Sequence, residues 1–213
     1  MIISRRQLLL VGGLVVTLGL YKWWPAPRWD LRNLPPLATG PWVAFGDSLT
    51  SGYGAGNGGY PSLLSARLGV EIRNLGVAGE TSADGLNRLA EVEALEPRVT
   101  LICFGGNDVL QSRPREQMFA NLGSIIDRLH ARGSFVVLIG IRGAGLIGDA
   151  NAEGFRELAR DKGVLHIPDI LDGVWGRPSL MSDQVHPNDA GYEKIADRLA
   201  GELGPVLGKL RPS

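Results

Sequence analysis

Three side chains in this sequence are of the types needed for nucleophilic acyl transfer. Ser48 sits in Gly46-Asp47-Ser48-Leu49-Thr50, and Asp183 and His186 sit in Asp183-Gln184-Val185-His186-Pro187-Asn188. A serine hydroxyl is a weak nucleophile at neutral pH until a base takes its proton. An imidazole serves as that base when a carboxylate fixes its other nitrogen. An acid three residues before a histidine on one tight loop lets Asp183 hold His186 through Nδ1, which leaves Nε2 for the serine. Ester cleavage also needs donors aimed at the developing oxyanion. Asn74-Leu75-Gly76-Val77-Ala78-Gly79-Glu80-Thr81 offers the backbone N–H of Gly79, and Gly105-Gly106-Asn107-Asp108 offers the Asn107 amide. Each stretch alone is also ordinary turn or cap composition, Asp47 and Asp108 included, since such acids commonly stabilise their own turns. The four together are what carry the chemical reading.

The elements that must bring them together follow from periodicity. Short apolar, β-rich runs predict strands at 42–45, 70–74, 99–104, 134–141 and 164–167. Between them, helices are predicted at 60–68, 84–95, 115–131, 151–161 and 188–203, with helical apolar spacing such as Phe119, Leu122, Ile126 and Leu129. Pro187 is expected at the start of the last helix. Five buried strands alternating with helices predict a parallel α/β sheet covered on both faces. In such a sheet the loops after each strand share one edge, where open α/β folds place their sites. Ser48, Gly79 and Asn107 all lie just after predicted strands.

The ordered set Gly46-Asp47-Ser48-Leu49, Gly79 in Ala78-Gly79-Glu80-Thr81, Gly105-Gly106-Asn107-Asp108 and Asp183-x-x-His186-Pro187 resembles the four blocks of the SGNH (GDSL) hydrolase family. The likeness spans residues 42–192 and is nearest to small bacterial enzymes of the thioesterase, lysophospholipase and arylesterase types. It implies a three-layer α/β/α, flavodoxin-like fold and hydrolysis of carboxylic esters or thioesters with no metal or cofactor. It implies Ser48 as nucleophile, His186 as base, Asp183 as its orienter, and the N–H of Ser48, the N–H of Gly79 and the Asn107 side chain as oxyanion hole. The glycine-rich stretch 142–150 departs from the substrate-contacting loop expected there, so acyl-chain preference stays open. So does the leaving group, with carbohydrate or peptidoglycan O-acetyl esters as the alternative.

Residues 1–29 differ from the rest of the chain. Arg5 and Arg6 precede fourteen uncharged residues, Leu8–Tyr21, which are followed by Lys22, Trp23 and Trp24. That order is the n-region and h-region of an export signal. The start also loosely resembles a twin-arginine signal. Without a convincing Ala-x-Ala site or a lipobox cysteine, an uncleaved signal anchor through residues 8–24 is expected, with the catalytic part outside the cytoplasm; a removed signal peptide, with secretion after cleavage, is the alternative. Residues 30–40, with Pro35, Pro36 and Gly40, read as a linker, and residues 41–213 as one hydrolase domain.

The 213 residues carry 22 basic and 22 acidic side chains. Arg5, Arg6, Lys22 and Arg28 all precede the first acid, leaving residues 30–213 with 18 basic against 22 acidic, a net of −4. A nucleic-acid partner would call for a basic face instead. The lone Cys103 excludes an internal disulfide and reads as a buried thiol. His130 and His166 read as structural, and Trp42 as lining either the core or the site. A rival reading comes from Gly143-x-Gly145-x-x-Gly148 after the fourth predicted strand, with Asp169 following the next. That is the order of a dinucleotide-binding turn. Gly54-x-Gly56-x-x-Gly59 is a weaker copy of the pattern, and a non-catalytic lectin-like role is the third option. Oligomeric state is not legible.

Overall fold

A computed structural model describes residues 29–141 and 149–211. Five strands, β1 (Trp42–Gly46), β2 (Ile72–Gly76), β3 (Val99–Cys103), β4 (Phe135–Ile139) and β5 (Leu165–Ile167), form one sheet. Every pairing is parallel and the order is β2-β1-β3-β4-β5. This is the flavodoxin-like doubly wound order, whose switch point lies between β1 and β3.

The strands alternate between two cores because successive side chains point to opposite faces. Trp42, Ala44, Leu101, Cys103, Val137 and Ile139 meet α2 (Gly59–Leu68) and α8 (Asp189–Leu210) through Tyr60, Leu64, Ile195 and Leu199. Val43, Phe45, Ile102, Phe104, Val136 and Leu138 meet the other helical layer. That layer contains α4 (Leu89–Glu93), α6 (Arg115–Ala131) and α7 (Asp149–Lys162), which contribute Val92, Leu122, Ile126 and Phe155. Each such fully buried side chain contributes about 2 kcal/mol. Trp42 therefore belongs to the core, and Cys103 is a free, buried thiol.

Several boundaries differ from the sequence expectation for physical reasons. Strand β2 lies two residues later than 70–74, because Gly69 caps α2 in a left-handed turn and the pairing register aligns Ile72 with Trp42. The helix expected at 84–95 is two, α3 (Ser82–Asn87) and α4, hinged at Arg88. Its start is set earlier by a reciprocal capping box between Thr81 and Asp84. Helix α8 runs beyond residue 203 and through Pro205. The hydrogen bond forgone there is offset by burial of Leu210, whose carbonyl accepts from Arg98 Nε at 2.6 Å. Two short helices absent from the sequence reading, α1 (Ser48–Ser51) and α5 (Gly106–Leu110), directly follow β1 and β3.

Residues 30–40, expected as a linker, are bound to the sheet's amino edge. Trp29 Nε1 donates to Val164 O, Arg32 N to Gly163 O, Leu37 N to Gly133 O, and Asn33 Nδ2 to Ser134 O. Leu31 and Leu34 pack on the core beneath them, so the prolines shape a strap rather than a spacer. Residues 1–28, which carry the expected export segment, lie outside the described residues. Among the described residues no helix is long and apolar enough to cross a membrane.

Candidate active site

Strand β1 ends at Gly46, where a side chain has no room: a Cβ would lie 2.2 Å from Thr50 Oγ1 and 2.4 Å from Cys103 O. The next residue, Asp47, caps α1 by accepting from Leu49 N at 3.1 Å, which turns the chain and leaves half-buried Ser48 at the carboxyl edge of the sheet. The Ser48 hydroxyl lies 3.0 Å from Nε2 of His186. Nδ1 of His186 lies 2.8 Å from Oδ2 of Asp183. The other carboxylate oxygen, Oδ1, accepts from the backbone N–H of Val185 at 2.8 Å and of His186 at 2.7 Å. Partial burial pushes the Asp183 carboxyl up, but the bonds from His186 and these N–H groups outweigh it and hold it below its ordinary value.

The loop carrying this pair is closed at its base. Ser182 N donates to His186 O at 2.9 Å, and Met181 bridges Pro187. Asn188, not Pro187, caps α8: its side chain accepts from Gly191 N and donates to Ser179 O and Met181 O. Pro187 lies just before the cap. The Tyr53 ring packs on the imidazole, with centroids 4.5 Å apart, and its own carbonyl accepts from Tyr192 Oη.

Gly79 and Asn107 line the same pocket as His186. Gly79 is exposed, with φ of 86°, a conformation glycine adopts without strain. Asn107 Nδ2 donates to Glu80 O at 2.9 Å, and its second contact, Asp47 Oδ2 at 3.5 Å, is too long to hold the other hydrogen firmly. Asp47 is buried beneath the site. Its burial, reinforced by the charges of Asp108 and Glu80 and opposed by the Leu49 N–H, pushes its carboxyl up to about 7.

Asp108 does more than hold its own turn. It accepts from Ser82 N at 2.8 Å and Ser82 Oγ at 2.6 Å, and Asn121 Nδ2 donates to the same hydroxyl at 3.0 Å. The loops after β2 and β3 are thereby fastened to each other. Glu80 was visible in the sequence only as part of a block, and Arg88 not at all. The two form an ion pair of 2.7 Å whose side chains are 16% and 14% exposed. The Thr81-x-x-Asp84 capping box is the signal that could have fixed the start of α3 and turned attention to the segment beside them.

Ser48, Gly79, Asn107 and His186 open on one pocket of about 380 Å³. Its walls are apolar, with Val109, Leu110, Ile141, Leu171 and Trp175 prominent. His130 and His166 do not line it. Burial lowers each to about 4, so both imidazoles are neutral at pH 7. The Gly54-x-Gly56-x-x-Gly59 loop is no phosphate cradle: the N–H groups of Gly56 and Asn57 already donate to the Asp189 carboxylate, at 2.8 and 3.1 Å. The Gly143-x-Gly145-x-x-Gly148 pattern lies outside the described residues. No cluster of metal-ligating side chains occurs among the described residues.

The chain has counterparts among known proteins. The chain is 33% identical over 178 residues to esterase TesA of Pseudomonas aeruginosa, covering 78% of this chain and 88% of that one. It is 31% identical over 174 residues to thioesterase 1/protease 1/lysophospholipase L1 of Escherichia coli, covering 78% and 84%. Among solved structures, the esterase EstA of Pseudoalteromonas sp. superposes with a TM-score of 0.73 at 25% identity, over 80% of this chain and 100% of that one. Residues 44–194 match the GDSL-like Lipase/Acylhydrolase family, so the chain belongs to that family and is a hydrolase acting on ester bonds.

Proposed function

We propose that the protein is an exported serine esterase that cleaves acyl or aryl carboxylic esters and thioesters through an acyl-enzyme. The observation that carries this reading is the chain Ser48 Oγ–His186 Nε2–His186 Nδ1–Asp183 Oδ2, with links of 3.0 and 2.8 Å, at the mouth of an apolar pocket. Ser48 attacks the acyl carbonyl while His186 takes its proton. His186 then gives that proton to the departing alcohol or thiol. Water, deprotonated by the same imidazole, releases the acid and restores Ser48. Asp183 keeps Nδ1 protonated and steadies the imidazolium. The N–H groups of Ser48 and Gly79, neither of which has an acceptor among the described residues, and the loosely held Asn107 hydrogen receive the oxyanion.

The apolar walls favour an acyl or aryl group over a sugar, whose hydroxyls would be left without partners there. Residues 1–29 supply the export signal and, uncleaved, attach the enzyme to the membrane, as their charge and hydropathy order suggests. Similar esterases include EstA, whose structure is described as inhibited by monoethylphosphonate. The same class of tetrahedral phosphorus ester is expected to block Ser48.

The test is hydrolysis of p-nitrophenyl esters of increasing chain length by the wild type and by Ser48→Ala. Turnover that falls by about 10⁴-fold or more in the variant, with folding intact, is expected from loss of the nucleophile. A variant that keeps near wild-type turnover would sink the mechanism. Substrates ending at acetyl, with no gain from longer or aryl groups, would move the reading to O-acetyl esters.

A further inference from the structure

Arg88 is a half-buried arginine that does not line the pocket, yet its partners converge on the oxyanion side of it. Its Nε lies 2.7 and 2.9 Å from the two carboxylate oxygens of Glu80. Its Nη2 donates to Leu75 O at 2.8 Å and reaches Gly46 O at 3.4 Å, so one guanidinium spans the ends of β2 and β1. The plane rests on the Phe45 ring, 4.5 Å from its centroid. Glu80, the residue held in this way, follows Gly79, and its own carbonyl accepts from the Asn107 amide. One residue thus has the first donor on its amino side and aligns the second through its carbonyl. Fixing its side chain to the strand ends that carry Ser48 fixes both donors relative to the nucleophile.

We propose that Arg88 is a positioning residue for the oxyanion hole, acting through Glu80 on the Gly79 N–H and the Asn107 amide; the proposal rests on the serine-esterase reading. Fork geometry is essential to it. A lysine keeps the charge but cannot bond Glu80 and the Leu75 carbonyl together in one plane. Misplacing a donor by a fraction of an ångström leaves substrate binding largely intact and weakens only the contact made as charge develops.

The experiment is a double-substitution cycle on a p-nitrophenyl ester, with wild type and Ser48→Ala as the reference pair. Arg88→Lys should lower kcat by roughly 10- to 100-fold with KM little changed, the scale of a positional error of about 1 Å. Asn107→Ala alone should lower it by about 10²–10³-fold. In the Asn107→Ala background, Arg88→Lys should have a smaller effect, because one of the two donors it aligns is gone and only the Gly79 N–H is left to misplace. Glu80→Gln, close in shape, should reproduce the pattern more mildly and stands in if Arg88→Lys does not fold. Wild-type kcat in both variants overturns the positioning role. So does an equal loss with and without Asn107, which marks a general structural defect. Absence of serine-dependent turnover in the wild type overturns the esterase reading itself, a result distinct from either.

Discussion

His186 and Asn107 face one pocket, and the chain delivers them by different means. On the base side, acid and imidazole are three residues apart on a loop at the surface, with the Asp183 side chain 45% exposed. Most of what shapes that loop is local, namely two backbone N–H groups on Oδ1, one short bridge and the Asn188 cap, with the Tyr53 ring the distant contact on the imidazole. On the oxyanion side the contacts join distant parts of the chain. Ser82 and Asp108 are 26 residues apart, Asn107 and Glu80 are 27, and Arg88 and Gly46 are 42. These groups are buried or half-buried. Proton transfer tolerates an exposed, self-contained turn, because only one angle and one hydrogen bond must be right. Stabilising a developing charge needs several donors fixed at once, which under the proposed mechanism falls to a packed network.

The contrast can be broken at three points. The largest effect is expected on the base side. Asp183→Asn keeps Oδ1 for the backbone N–H groups and alters only the partner of Nδ1, so turnover should fall by up to about 10⁴-fold. The thermal midpoint should hardly move, since the group is exposed. A large loss of stability, or a loss of activity below about tenfold, would mean the base loop is not self-contained.

On the oxyanion side, Asp108→Ala removes the acceptor of two buried groups, Ser82 N–H and Ser82 Oγ–H. Each unsatisfied buried group costs about 1–3 kcal/mol, and urea unfolding should register a loss of at least that size alongside reduced kcat. An unchanged midpoint would remove Asp108 as the clasp between the two loops.

The smallest effect is a pH slope. The Asp47 carboxyl is pushed up to about 7 by burial, above its ordinary value of 3.8, so the native state keeps a proton that the unfolded chain releases. Its contribution is full below about pH 4 and is lost as pH rises through 7, at about 1 kcal/mol per pH unit within that window. Thermal midpoints from pH 5 to 8 should therefore fall more steeply in the wild type than in Asp47→Asn. Parallel curves would show that Asp47 is not the group titrating.

The same contrast decides what the sequence revealed. Ser48, Asp183 and His186 were legible because each sits in a short block of telling composition, and β1, β3 and β4 because apolar runs mark buried parallel strands. Strand β2 was misplaced by two residues, since as an edge strand bearing Arg73 and Asn74 it has little apolar pattern to read. Gly79 and Asn107 were found as turn residues able to donate, but what holds them was not. Ion pairs such as Arg88 with Glu80 obey no period, and only tertiary packing brings their ends together. The length of α8 was hidden because Leu210 and Arg98 overrule Pro205 from a distance.

The strap at residues 29–40 settles an orientation. It joins the sheet beside Gly133 and Gly163, just ahead of β4 and β5, whereas Ser48 lies beyond the opposite ends of the strands. The strap therefore reaches Trp29 at the pole away from the pocket. Tethered from that pole, the enzyme would present its mouth outward like a cup on a stalk. Under the proposed membrane attachment, such a tether would favour substrates that diffuse past over lipids drawn from the membrane.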